Sequence, residues 1–291
     1  MSARKVLVIA NPIAGRGRGE RAAAELANAL RELGFEPEVF STRARGDARV
    51  RAAAVEGDVE AVVSIGGDGT LNEVLSGLPR STIPVAQLAL GTANVLAFDL
   101  GLPRDPAAVA GIVAARKTRP IDVAHVGERL SFLGASAGYD AAVVHGLERL
   151  RRGPITRWTW TRAAGAEFQR YSPPELSLEM DGQRVDGVFG MILVANVVHY
   201  AGWPSLASDR ALDDGLFEAY LFPARSRLEL LRHAARGLFA RFPGGNVRRL
   251  QGRHFRVESL VPVPVQIDGD AGGHTPFELS VDAEPRLVLV P

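Results

Sequence analysis

The sequence predicts an α/β fold in two parts. An alternating strand–helix region runs to about residue 122, and a mostly antiparallel β region follows to residue 291. Three observations carry this expectation. Apolar runs alternate with helical patterns over the first 120 residues or so, as parallel strands joined by crossover helices require. Glycine-rich turns follow three of the apolar runs. Beyond Ile121 the runs are short, and Gly127-Glu128, Asp181-Gly182 and Asp214-Gly215 separate several of them, which is hairpin chemistry.

In order, Val6–Ala10 is an apolar strand that leads into the loop Gly15–Gly19. A helix follows, with Ala22, Leu26, Ala29, Leu30 and Leu33 on one face and Gly34 at its C-terminal cap. Phe35–Phe40 is the second strand, and Asp47 is placed to N-cap a helix that runs toward Glu56 and ends at Gly57. Ala61–Ile65 and Pro84–Leu90 are the third and fourth strands, with helices around Ala93–Leu100 and Pro106–Ala115. In the second part, Ile121–Val126 and Arg129–Leu133 form a hairpin. Further strands are Glu175–Met180, Val185–Val198, Leu216–Phe222, Phe255–Ser259, Val263–Ile267, Phe277–Val281 and Leu287–Val290. Two helical insertions cover Val143–Tyr171 and Arg225–Phe242. The domains are therefore set at 1–122 and 123–291.

Composition narrows the function. A net charge of +1 argues against nucleic acid as the main partner. Lys5 and Lys117 are the only lysines, which excludes a GxxxxGK[ST] phosphate loop. With no cysteine there is no disulfide, thiolate ligand or cysteine nucleophile. The six histidines show no metal spacing. No apolar run reaches the ~18 residues of a membrane span.

The chemistry-bearing stretches are five. Gly66-Gly67-Asp68-Gly69-Thr70-Leu71-Asn72 lies between a strand and a helix. Its glycines let backbone approach a ligand closely, and the following helix start favours an anion. Asp68 suits a metal ion, a ribose hydroxyl or a proton rather than phosphate itself. Asn11-Pro12-Ile13-Ala14-Gly15-Arg16 turns sharply after the first strand and adds arginines able to grip phosphate. Gly91-Thr92-Ala93-Asn94 is a third strand-to-helix turn, where Asn94 either meets phosphate or caps a helix. Asp213-Asp214-Gly215 reads either as a turn or as a magnesium site. Asp268-Gly269-Asp270 reads either as a hairpin turn or as a general base at a strand end. All three glycine loops follow strands, so they gather on one edge of a parallel sheet.

Two segments combine arginine with aromatics. One holds Arg149, Arg151, Arg152, Arg157, Trp158, Trp160 and Arg162; the other runs from Arg225 to Arg249 and includes Phe239 and Phe242. They read either as solvated helix faces or as contacts with an anionic membrane surface.

The five motifs, in this order, resemble the diacylglycerol kinase catalytic-domain family, especially its small bacterial lipid kinases; sphingosine and ceramide kinases are similar. The resemblance covers almost the whole chain. It implies a three-layer α/β nucleotide-binding domain followed by a β-sandwich, with ATP and Mg²⁺ between them. It implies ATP contacts at Asn11, Pro12, Ile13, Ala14, Gly15, Arg16, Thr42, Gly66, Gly67, Asp68, Gly69, Thr70, Leu71, Asn72, Thr92 and Asn94. A structural magnesium maps to Asp214, with the carbonyls of Ala211 and Leu216 and with Asp213 close by. Asp68 falls on the magnesium side of the triphosphate, and the proton acceptor maps to Asp270 with Asp268 as its partner. The implied activity is Mg²⁺-dependent transfer of the ATP γ-phosphoryl to the hydroxyl of diacylglycerol or a related lipid such as a sphingoid base. The implied setting is cytoplasmic and peripheral to the membrane, with transient membrane contact, no nucleic acid, no transmembrane segment and homodimerisation left open.

The sequence also departs from the family pattern. Asp270 replaces a usual Glu and is one methylene shorter, which leaves Asp268 as an alternative base. Val95-Leu96-Ala97-Phe98 replaces Asp-Phe-Ala-Arg, Ala201-Gly202-Trp203 replaces three glycines, and Ser208 replaces a proline. Two other readings stay open: an NAD kinase, which shares Gly-Gly-Asp-Gly-Thr, and a nucleotide- or lipid-binding regulator without catalysis.

Overall fold

The computed structural model describes residues 4–55, 59–79, 83–150, 157–200, 206, 210–238 and 246–291. The expected helix end at Glu56-Gly57, the departures at 201–203 and 208, and Arg151, Arg152, Phe239, Arg241 and Phe242 lie outside the described residues. The chain divides into two compact units, Met1–Ile121 with Glu284–Pro291, and Asp122–Ala283.

The first unit is built on one sheet. Its strands are β1 (Arg4–Ala10), β2 (Phe35–Ser41), β3 (Val59–Gly66), β4 (Val85–Ala89) and β5 (Thr118–Ile121). The last strand of the chain, Arg286–Leu289, inserts between β4 and β5. The order is β2-β1-β3-β4, then the last strand, then β5. All neighbours pair parallel except β5, which runs against the last strand. The sequence reading kept residues 284–291 with the second domain, because a short apolar strand carries no mark of the sheet it joins.

Near-continuous apolar runs suit such a sheet because both faces are covered. Val6, Val8, Ala61, Val63 and Ile65 meet Ala22, Ala23, Leu26 and Leu30 of the helix Gly19–Glu32, and Val109, Ala110 and Val113 of the helix Pro106–Ala115. The 3.6-residue spacing in Gly19–Glu32 places these side chains on one stripe. Each fully buried leucine contributes about 1.5–3 kcal/mol. Gly34, at φ 80°, ends this helix in the left-handed region that glycine adopts without strain. Connections from β1 go to β2 on one side and reach β3 on the other, so the topological switch lies between β1 and β3.

The second unit is an antiparallel β-sandwich. One sheet contains β6 (Ala124–Val126), β7 (Arg129–Ser131), β9 (Leu176–Met180), β10 (Gln183–Phe189), β14 (His254–Ser259) and β17 (Phe277–Val281). The other contains β8 (Gly134–Ala137), β11 (Met191–Ala195), β12 (Phe217–Phe222), β13 (Arg248–Gly252), β15 (Pro264–Ile267) and β16 (Asp270–His274). Leu176, Leu178, Phe255, Val257 and Leu279 from the first sheet face Ile192, Val194, Phe217, Ala219, Leu221 and Val265 from the second. This is the interdigitated core that two stacked sheets require.

The run Val185–Val198, expected as one strand, is two strands in different sheets. Gly190 is the corner. A Cβ there would lie 2.4 Å from the Ala224 carbonyl oxygen, so only glycine lets the chain cross. The helices Tyr139–Leu150 and Arg157–Arg170 pack through Val143, Leu147, Ala163 and Trp160.

Candidate active site

Three loops meet at the carboxyl ends of β1, β3 and β4. The β1 ladder reaches one residue beyond the strand, since Asn11 N–H donates to the Ile65 carbonyl at 2.9 Å. Asn11 Oδ1 then accepts from Ile13 N–H at 3.2 Å, an Asx-type turn that reverses the chain. Gly15, Arg16 and Gly17 follow with φ of 60°, 64° and 83°. Three successive left-handed residues turn the backbone sharply just before the helix Gly19–Glu32. Gly19 is a packing necessity, because a Cβ there would come within 2.0 Å of the Asn11 carbonyl oxygen. Arg18 folds back onto the Gly15 carbonyl at 2.9 Å, and Arg21 pairs with Glu25 at 2.7 Å. Arg16, on the strained turn, is exposed.

The Gly66–Asn72 loop runs directly into the helix Asp68–Gly77. The first N–H groups of such a helix have no intrahelical acceptor and favour an anion. Gly66 accommodates Thr70, whose Oγ1 would lie 2.3 Å from a Cβ at that position. Leu90 N–H donates to the Gly66 carbonyl at 2.8 Å, which carries the ladder into the third loop.

That third loop is fastened by two side chains. Asn94 is buried in the left-handed region, at φ 51°. Its Oδ1 accepts from Gly91 N–H at 2.9 Å and its Nδ2 donates to the Gly91 carbonyl at 2.8 Å. Asp68 Oδ1 accepts from Val95 N–H at 3.0 Å. Asp68 thus caps the helix Val95–Asp99 across the loops as well as opening its own helix. Thr92 is exposed beside them, and Phe98 on that short helix is exposed too.

The Thr42 loop is held in turn by Glu73. Thr42 N–H donates to the Ala10 carbonyl at 2.9 Å. The Glu73 carboxylate accepts from Gly46 N–H at 2.9 Å and Ala48 N–H at 3.2 Å. Asp47, expected to cap the following helix, instead accepts from Arg43 and Ala44 N–H at 2.7 and 2.9 Å and closes the loop before it. These bonds hold the Asp47 carboxyl below its ordinary range.

In the second unit, Asp268-Gly269 is the two-residue turn between β15 and β16, with φ of 51° and 84°. The two carboxylates differ sharply. Asp268 Oδ1 accepts from Ser131 Oγ at 2.6 Å and from the N–H groups of Leu133 and Gly134 at 3.0 Å, while Oδ2 accepts from Phe132 N–H at 3.1 Å. Desolvation raises its pKa, against the pull of those donors. Its lone pairs are committed to the β7–β8 corner. Asp270, beyond the turn, pairs with Ile267 and is half-buried at the start of β16. Gln266 steadies this turn by accepting from Gly269 N–H at 2.8 Å and donating to Ser136 Oγ at 3.0 Å. Ser136 and Tyr200 both donate to Asp140, whose carboxyl pKa is raised by burial.

The Asp213-Asp214-Gly215 turn is sewn to the sandwich. Asp122 accepts from Gly215 N–H at 2.6 Å, and Asn196 Nδ2 donates to the carbonyls of Asp122 and Leu212 at 3.1 and 3.2 Å. Burial raises the Asp122 pKa, with Asp214 and Asp213 adding to it. The Asp214 carboxylate and the Leu216 carbonyl, two of the expected magnesium ligands, both accept from the Arg210 guanidinium. That ligand set, as folded, does not fit a divalent ion. Ala211 is half-buried and Asp213 exposed. Among the described residues, no group of three or more His, Cys, Asp and Glu is arranged to hold a metal.

The sequence reading missed Glu73, the residue directly after the Gly66–Asn72 loop, as a loop clamp. It also missed Arg210, which meets Asp214 four residues on through a non-helical turn, where no spacing rule announces the pair. It missed the Ser136–Asp140–Gln266 set, which only the folded sheet assembles.

An α/β unit with three glycine loops on one sheet edge, followed by an antiparallel sandwich with carboxylate turns, defines a two-domain α/β-plus-sandwich class. Residues 5–126 match the diacylglycerol kinase catalytic domain, and residues 134–290 match the YegS C-terminal NAD kinase beta sandwich-like domain. The chain belongs to the diacylglycerol kinase catalytic-domain family. Diacylglycerol kinase from Bacillus subtilis (strain 168) is 26% identical over 283 residues, covering 94% of this chain and 92% of the relative. The Staphylococcus carnosus (strain TM300) protein of that name is 24% identical over 279 residues, covering 94% and 90%. A crystal structure of a diacylglycerol kinase from Bacillus anthracis str. Sterne shares the fold, with a TM-score of 0.80 at 20% identity over 99% of this chain and 97% of that one.

Proposed function

We propose that this protein is an ATP-dependent lipid kinase that transfers the γ-phosphoryl group to a lipid hydroxyl, with diacylglycerol as the first candidate. One observation carries the reading: the loops after β3 and β4 are locked together by Gly67–Gly91 contact, Asp68 and Asn94, and Asn11 N–H to the Ile65 carbonyl sets the β1 loop beside them. The family membership and the names of the curated relatives support the same activity.

In this reading the triphosphate meets the backbone N–H groups of the Gly66–Asn72 loop and the Asn11–Arg16 turn, with Thr42 and Thr92 at their margins. Phosphoryl transfer depends on positioning and charge neutralisation more than on covalent chemistry. Preorganised amides that need no rearrangement suit that demand. A magnesium ion arriving with the nucleotide would neutralise charge on the phosphates. Asp270 takes the proton of the attacking hydroxyl. Asp268 is assigned the structural role that its four accepted bonds support.

A kinase acting on lipid meets a membrane surface for at least part of its cycle. Trp158 is 70% exposed and Arg162 is exposed on the same helix, which suits such contact. No described helix is long and apolar enough to cross a membrane.

The test uses purified protein, γ-labelled ATP, magnesium and a total lipid extract, with NAD as a parallel acceptor. Label in a phospholipid product supports the proposal. Label on NAD alone would transfer the protein to the NAD kinase reading, and nucleotide binding without turnover would favour the regulator.

A further inference from the structure

We propose that the Arg210 guanidinium is the resident cation of the 211–216 turn, so that this protein needs no structural divalent metal there. Arg210 has a side chain with 0% exposure. Its Nη1 donates to both oxygens of Asp214, at 3.1 and 2.9 Å. Its Nη2 donates to Asn196 Oδ1 at 2.6 Å and to the Leu216 carbonyl. Four oxygens from three residues therefore converge on one positive group, as they would on a metal ion. Glu218, fully buried, stands 3.9 Å from the same guanidinium and is itself held by Arg249, Tyr220 and Gln251.

Chemistry and shape both oppose a divalent ion at this place. Magnesium demands near-octahedral oxygen ligands at about 2.0–2.1 Å. Here the carboxylate and the carbonyl already point at guanidinium nitrogens. A metal would have to displace Arg210 and leave a charged side chain buried without its partners, which proteins tolerate poorly. A guanidinium also suits a fixed structural task. It is always charged, and its planar fork engages several oxygens in one orientation. The turn that Arg210 organises is the one sewn to Asp122 and Asn196, so the cation stabilises the loop entering β12 rather than meeting substrate.

This inference does not depend on which acceptor the enzyme uses, and its test reads metal and stability rather than turnover. Nucleotide-free, chelator-washed full-length protein is titrated with Mn²⁺, and free Mn²⁺ is followed by electron paramagnetic resonance. Thermal unfolding is measured in parallel with EDTA and with Mg²⁺. We expect the same Tm in both conditions. Any Mn²⁺ bound by the wild type is expected to bind Asp214→Asn equally. One equivalent of Mn²⁺ that is lost in Asp214→Asn, together with a Tm raised by Mg²⁺, would overturn the proposal. Arg210→Ala exposes the vacated oxygens, so its Tm is expected to fall below wild type and to be partly restored by Mg²⁺ or Mn²⁺. A Tm equal to wild type in EDTA would also overturn it. Should Arg210→Ala not fold in EDTA, that failure agrees with the proposal, and the wild-type titration still decides the metal question.

Discussion

Gly67 and Gly91 touch through bare backbone: a Cβ added to Gly91 would lie 2.5 Å from Gly67 Cα and 2.7 Å from Asn94 Oδ1. Two loops from adjacent strands are thereby held as one surface. Gly91→Ala is expected to force them apart, costing about 1–3 kcal/mol by overpacking and weakening ATP binding at least tenfold. Gly69, by contrast, has no positive φ, and a methyl group added there would meet nothing within 4 Å. Gly69→Ala is expected to leave stability within about 0.5 kcal/mol of wild type. Denaturant unfolding and nucleotide titration of the two variants check the contrast; equal effects would sever the link between loop contact and binding.

Glu73 reaches back to the 42–48 loop and satisfies Gly46 and Ala48 N–H. Hydrogen bonds to a charged group contribute about 1.5–3 kcal/mol each. Glu73→Ala is expected to speed hydrogen exchange at these two amides and to raise the KM for ATP with less change in kcat. Unchanged exchange would mean that the loop is held by other contacts.

Asp268→Asn places an amide N–H₂ against donors that now meet carboxylate oxygens. Unfolding free energy should fall by about 1–3 kcal/mol. A variant as stable as wild type would argue against Asp268 as the fastener of the β7–β8 corner.

Asp140 supplies the pH-dependent prediction. Its folded pKa is raised by burial, so the folded state holds the proton more tightly than the unfolded chain. The stability this contributes is full below the unfolded value of about 3.9 and is lost as pH climbs through the folded value. Asp140→Asn removes that loss at the cost of a pH-independent offset, because its Nδ2 meets the Ser136 and Tyr200 hydroxyls that donate to the carboxylate in wild type. Relative to wild type, the variant should therefore gain stability as pH rises from about 4 upward. A difference that stays flat with pH would show that Asp140 does not titrate as described.

The glycine loops were legible because their signal is local: a strand, a turn that needs glycine, and a helix start stand within ten residues of one another. The parallel order that gathers them follows from the βα alternation. Other features were not local. The chain crosses between sheets at Gly190 because Ala224 approaches it from a distant segment. The last strand returns to the first unit by pairing with β4 and β5, which no feature of Arg286–Leu289 announces. Residue type does not separate Asp268 from Asp270 as a base; their surroundings differ because Ser131, Phe132, Leu133 and Gly134 donate to Asp268. Asp214 reads as a metal ligand until Arg210 is seen against it.

The central claim is lipid phosphorylation with Asp270 as the base. The most direct measurement is transfer of label from γ-labelled ATP to diacylglycerol in mixed micelles by wild type and Asp270→Asn, with ATP affinity and Tm measured on both. Labelled phosphatidic acid from wild type, a loss of at least a hundredfold in the variant, and unchanged ATP affinity and Tm are the predicted results. Full transfer by Asp270→Asn would contradict the assignment of the base, and no transfer by wild type to this or any other lipid hydroxyl would contradict the account itself.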